Sequence, residues 1–302
     1  MLKENNLRTD KLYLQLLLAS GVLICCLVLM QQIAVQVIGP LFGISSENTA
    51  MMLANFTFQN SQEILAFKCI LASIQAGAFG LATLILVLIY PDRKKTLGIS
   101  TPISAVTAFL VILTLLISLP FIQFTTFNPE TFHLPERFKE WEQALKDAES
   151  KTELMLRTIL KQDLALNILV VALFPAVMEE LFFRGYIQQL FRQYYSARVS
   201  IICAGFIFSI AHFQVYGLIP RALLGIGLGF LLEWSGSLWL SILAHFTNNA
   251  ISVLIAWFVL QGNISEKFMD NSFQPHWTLV LLSAILVLLG LNFIKRIIQK
   301  NN

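Results

Sequence analysis

An all-α, polytopic transmembrane helix bundle with about eight spans is the fold class this sequence predicts, and three observations predict it. Only 13% of the 302 residues are charged and 56% are hydrophobic, against roughly 25% charged in a soluble domain. Mean hydropathy is +0.70. The apolar residues fall in long runs separated by short polar stretches, as in a chain that crosses a bilayer repeatedly. A soluble core would interleave charge at helical period instead.

At about 20 apolar residues per crossing, candidate spans run near 12–39, 64–90, 103–124, 164–183, 199–217, 222–234, 237–260 and 277–294. The first follows Lys3, Arg8 and Lys11. It is too long for the roughly 7–15-residue apolar core of a signal peptide, which predicts an uncleaved span. The sixth is the weakest, because Ala222–Leu232 is short and carries Gly225, Gly227 and Gly229. It is expected as a half-span or as a helix packed closely through its small residues.

Lys and Arg sort to one side of eight crossings: the N-terminal group, Arg93-Lys94-Lys95, Arg184/Arg192/Arg198 and Lys295/Arg296/Lys300. The short loops at 40–62 and 261–276 hold Lys267 alone, and Arg221 is the exception to the pattern. This asymmetry predicts that both termini are cytoplasmic, with a bacterial inner membrane as the expected location. The chain then divides into N-terminal transmembrane helices (1–125), an extracytoplasmic loop (126–161), a helical core (162–262) and a C-terminal transmembrane helix (263–302). Within the loop, Leu134–Arg157 mixes charge at helical spacing, which predicts an amphipathic surface helix, read as a solvated cap without a catalytic role.

The net charge of +3 is too small to suggest nucleic acid as a partner. Membrane lipid and a membrane-associated peptide or protein remain as the expected partners. Cys25, Cys26, Cys69 and Cys203 all lie in apolar runs without CxxC spacing and read as small hydrophobes.

Ionisable groups at membrane depth cost on the order of 2.5–3.5 kcal/mol each on insertion scales, so each is a functional hypothesis. Lys68 and Glu233 lie near span ends, where snorkelling to the interface is the plain explanation. Three other groups are harder to explain. Glu179-Glu180 and Arg184 follow the apolar run Leu164–Met178. Neighbours on a helix point about 100° apart, and Arg184 lies one turn beyond Glu180, so those two are expected to pair while Glu179 faces elsewhere. Alternatively, the cluster marks where the helix meets cytoplasmic water. His212 stands in the fifth run behind Phe208, and alone would read as a satisfied core histidine. His245 and Asn249, one turn apart in the seventh run, share a helix face and can both donate toward a developing oxyanion, or else serve as interhelical hydrogen-bond glue. Packing alone does not predict all three groups in separate spans.

In order and spacing these pieces resemble the motifs of the CAAX prenyl protease and bacteriocin-processing (CPBP) family of intramembrane proteases. EExxxR appears as Glu179-Glu180-x-x-x-Arg184, FxxxH as Phe208-x-x-x-His212 and HxxxN as His245-x-x-x-Asn249. The resemblance covers about residues 160–260 and leaves the first three spans without a role. It implies an endopeptidase acting on a CAAX-type prenyl protein or a bacteriocin or leader peptide. It also implies Glu179 as the general base, His212 orienting the attacking water, and His245 with Asn249 stabilising the oxyanion. Glu180, Arg184 and Phe208 would support them. Zinc held by Glu179, His212 and His245 stays open, but the absence of HExxH and the Asn beside the second His favour a reaction without a metal. Other classes remain: a transporter, which would carry intramembrane charge in both halves, and a non-catalytic immunity or scaffold protein.

Overall fold

In hydrocarbon every backbone N–H and C=O must be satisfied within its own segment, so apolar runs of this length become helices. The computed structural model describes residues 2–89, 97–99, 101–126, 135–268 and 274–301, and among these there is no strand. Its helices are α1 (Leu12–Leu41 in its apolar part), α2 (Ser46–Asn55), α3 (Ser61–Ile89), α4 (Ala105–Thr125), α5 (Lys139–Leu160), α6 (Leu164–Arg192), α7 (Ala197–Ile210), α8 (Leu218–Ser235), α9 (Leu238–Leu260) and α10 (Trp277–Lys300). Polar side chains set several starts. Ser45 accepts from Asn48 N (3.2 Å), Asn60 from Glu63 N (2.9 Å) and Ser104 from Thr107 N (3.1 Å), each satisfying a helix donor that the first turn leaves unpaired. The outer faces stay apolar: Leu281, Leu282, Ile285, Leu288 and Leu289 of α10 are each more than half exposed. Such a surface suits lipid and not water. The protein is an integral membrane helix bundle.

Seven of these helices are long and apolar enough to cross a bilayer, one fewer than the sequence suggested. The shortfall lies in the fifth candidate and not the sixth. Helix α7 has 14 residues, about 21 Å at 1.5 Å per residue, short of the roughly 30 Å hydrocarbon core. It stops because the chain turns directly after His212, where Phe213 takes a left-handed φ of 53°. A non-glycine residue rarely adopts that conformation. Ser209 Oγ secures the turn by donating to Leu218 O at 2.7 Å. Helix α8, by contrast, starts early enough to reach 18 residues. Pro220 sits in its first turn, where a missing N–H breaks no helical bond.

The glycines of α8 explain how it packs. A Cβ on Gly205 of α7 would fall 2.9 Å from Ile226 N, and one on Gly225 would fall 3.0 Å from Gly205 Cα. The two backbones therefore touch through positions that tolerate no side chain. On its other side α8 runs parallel to the end of α6 through three rungs with a constant offset. Arg184 Nη2 donates to Gly225 O (3.0 Å), Gln188 Nε2 to Gly229 O (3.2 Å), and Arg192 Nη2 pairs with Glu233 Oε1 (3.1 Å). At the second rung bare backbone is required, since a Cβ on Gly229 would fall 2.7 Å from Gln188 Oε1. Glu233 thus sits in a half-exposed ion pair as well as near a span end.

Lys68 does not snorkel. It is 1% exposed, and its Nζ donates to Gln162 O at 3.2 Å. That carbonyl is freed by the tight turn joining α5 to α6, where Asp163 has φ 55°, and Asn167 Nδ2 reaches it too at 2.8 Å. Helix α5 is amphipathic as expected, but it is more than a solvated cap. Ile159 and Leu160 are buried in a core shared with α3 and α9, and Glu149, Glu153 and Leu156 line a cavity. Arg93-Lys94-Lys95 lies outside the described residues. All four cysteines are free.

Candidate active site

Helix α6 is irregular where it matters. Wide π turns span Ile168–Leu173 and Leu181–Gln188, and Pro175 sits between them. Such turns absorb the register change that a proline's missing N–H demands, and they recur at functional positions. The short regular stretch between them, Phe174–Glu180, ends on the two glutamates.

Both glutamates are buried, at 5% and 0% exposure, but they face different partners. Glu180 Oε1 accepts from Arg184 Nη1 at 2.9 Å and from His245 Nδ1 at 2.9 Å. Arg184 is fully buried and lies with its Cζ 4.4 Å above the Phe208 ring centre. The same ring packs edge-on against His212 (4.9 Å), His245 (5.4 Å) and Phe183 (5.2 Å). Phe208 is thus a common apolar wall that spaces the polar groups.

The hydrogen bonds decide the imidazole tautomers. His212 Nδ1 lies 2.8 Å from Phe208 O; a carbonyl only accepts, so Nδ1 carries the proton. His245 Nδ1 faces a carboxylate and is protonated for the same reason. Each ring is left with Nε2 free, and both Nε2 atoms are aimed at one atom, Glu179 Oε2, at 3.8 and 3.9 Å. These distances are too long for direct hydrogen bonds, and Glu179 Oε2 is buried without a hydrogen bond inside the protein. The other oxygen, Oε1, accepts from Gln75 Nε2 of α3 at 3.3 Å.

A cavity of about 990 Å³ opens onto this point. Glu179, His212, His245 and Asn249 line it, while Glu180, Arg184 and Phe208 lie behind them. Asn249 Oδ1 accepts from Asn248 Nδ2 at 3.3 Å, and both amides border the cavity. The remaining walls come from α3 (Leu71), α4 (Pro120), α5 (Glu149, Leu156) and the far half of α9 (Ser252, Ile255). Of the seven residues singled out by sequence, four therefore line one cavity; behind them Glu180 contacts His245, Phe208 contacts both His212 and His245, and Arg184 pairs with Glu180. Gln75 and Asn248 were not singled out. The readable signal was a neutral amide inside an apolar run, which is much weaker than a charge.

Bonds of about 2.0–2.2 Å in a tetrahedral zinc site hold two ligand atoms about 3.3–3.6 Å apart; Glu179 Oε2 lies 3.8 and 3.9 Å from the two nitrogens, a little wider than a zinc site. Among the described residues no set of three His, Cys, Asp or Glu side chains has metal-binding geometry.

Residues 161–251 match the family model described as type II CAAX prenyl endopeptidase Rce1-like. No curated protein and no solved structure matches the chain. The matched segment runs from the end of α5 through Asn249 and contains every one of the seven motif residues. Over that segment, about a third of its length, the chain is similar to the CAAX prenyl endopeptidases that the model describes.

Proposed function

We propose that this protein hydrolyses a peptide bond in a membrane-associated substrate, with Glu179 as general base. The observation that carries this reading is the convergence of a buried, unpaired carboxylate oxygen and two imidazole Nε2 atoms, from three helices, on the floor of a 990 Å³ cavity. A water between them, at ordinary hydrogen-bond distance from each, has its oxygen directed at whatever carbonyl enters the cavity.

In this mechanism Glu179 takes one proton as the water oxygen adds to the carbonyl carbon, and His212 Nε2 holds the other. The carbonyl oxygen becomes an oxyanion stabilised by the Asn249 amide and by His245. His245 donates from Nε2 only as an imidazolium, because Nδ1–H is already committed to Glu180. Collapse of the tetrahedral species breaks the C–N bond, and Glu179 returns its proton to the leaving nitrogen. Products are a carboxylic acid and an amine. No step requires a metal.

The family match makes a prenylated CAAX-type peptide the first substrate to try, with leader peptides second. We place the protein in a bacterial inner membrane with both termini cytoplasmic, on the basic clusters in the sequence; α8 runs parallel to the end of α6, so α7 and its turn return the chain to the depth at which α8 begins and the sidedness expected from eight runs is kept. The test uses the purified full-length protein in lipid vesicles with a farnesylated CAAX-type peptide and mass-spectrometric detection. Glu179→Gln is expected to lower turnover by about 10²–10⁴-fold or more; a fully active variant refutes the assignment. Activity is expected to survive exhaustive chelation, and loss that added zinc restores would replace this mechanism with a metal-assisted one.

A further inference from the structure

One amide of the second span, Gln75, reaches the Glu179 carboxylate. The carboxylate of a glutamate has two equivalent oxygens and turns about a broad terminal torsion, so burial alone does not fix the plane of the group or aim one oxygen at the two imidazoles. Gln75 does: its Nε2 donates to Glu179 Oε1 at 3.3 Å, leaving Oε2 toward His212 and His245. An amide nitrogen can only donate and a carboxylate oxygen can only accept, so the pairing has one polarity.

The packing that brings Gln75 there is specific. Helices α3 and α6 run parallel, with Phe79 packed on Phe182 and Phe183 at 5.7 and 5.6 Å. A Cβ on Gly80 would lie 2.8 Å from Met178 Sδ, beside Glu179. Gln75 is also the last residue before α3 widens into π turns at Ala76–Leu81. It borders the cavity, and its own Oε1 is buried without a hydrogen bond in the protein. It lies far outside the matched segment 161–251.

We infer that Gln75 is a positioning residue that holds the Glu179 carboxylate in the orientation needed to activate water, an inference resting on Glu179 being the base. The plain alternative is interhelical glue between α3 and α6, which would move stability rather than turnover.

Gln75→Leu keeps the volume and removes the donor. It is expected to lower kcat by about 10- to 100-fold, the range for losing a hydrogen bond to a charged group, with KM within twofold and an unchanged melting temperature. Combined with Glu179→Asp, whose shortened carboxylate is already out of reach of Gln75, the further loss should be much smaller than in the native background. Gln75→Met repeats the measurement with a flexible side chain, should the leucine variant fail to fold. Wild-type kcat in both Gln75 variants alongside an inactive Glu179→Gln overturns this inference alone. Full additivity with Glu179→Asp, a loss confined to KM, or a loss of stability in both variants without a kcat effect overturns it as well. An active Glu179→Gln instead overturns the function proposed above.

Discussion

Arg184 shows how a single charge governs the site. With Glu180 it forms a pair in which both side chains are 0% exposed, and removing one partner of such a pair leaves a buried charge without compensation. Arg184→Met is expected to destabilise the fold by about 3–5 kcal/mol, while the double variant with Glu180→Gln should recover much of that loss. Thermal melting in detergent checks both, and equal melting temperatures for the two variants would contradict the pairing. The one-turn spacing made this pair readable from the sequence. That Glu180 also accepts from His245, 65 positions away, at 2.9 Å was not readable, because no local rule relates residues on different helices.

At the scale of elements, the α7–α8 contact decides where His212 stands. Gly205→Ala would drive a methyl to 2.9 Å from the Ile226 backbone nitrogen, which cannot yield as a side chain can. The expected result is about 1–3 kcal/mol of destabilisation from overpacking. A larger effect on turnover should accompany it, on the order of 10²-fold per ångström by which His212 is displaced. Gly227→Ala, whose Cβ meets nothing within 4 Å, serves as the silent control in the same peptide assay and melt. Helix α5 carries its own prediction. Burial pushes the Glu149 carboxyl above the ordinary range, helped by Glu153 and opposed by Arg221. A carboxyl whose pKa is raised on docking binds more protons in the docked state, so docking weakens as pH rises from the ordinary carboxylate range through the raised value. Hydrogen exchange over Lys139–Leu160 should therefore quicken across that window beyond the intrinsic pH effect, and Glu149→Gln should flatten the response. A Glu149→Gln profile identical to the native one would remove Glu149 as the cause.

For the whole molecule, the family segment does not contain the complete site. Residues 161–251 supply the seven motif side chains, but Gln75, Leu71, Pro120, Glu149 and Leu156 complete the cavity from α3, α4 and α5. Residues 162–302 produced without the preceding helices are expected to show no cleavage of the farnesylated peptide. Full activity there would mean that the outer walls and Gln75 are dispensable.

Composition and the lengths of the apolar runs were enough to establish a membrane helix bundle, since a bilayer admits few other arrangements of such segments. Motif spacing was enough to nominate the polar residues, because charge at membrane depth is too costly to be incidental. Three-dimensional packing decided the rest. It held the fifth apolar run to a helix of 14 residues and extended the sixth to 18. It buried Lys68 against a carbonyl at the α5–α6 turn, laid α5 along a cavity, and set an unremarked glutamine against Glu179. Each outcome depends on which backbone groups and side chains from distant segments end up within hydrogen-bond reach. Periodicity and spacing act along the chain and carry no information about distances across it.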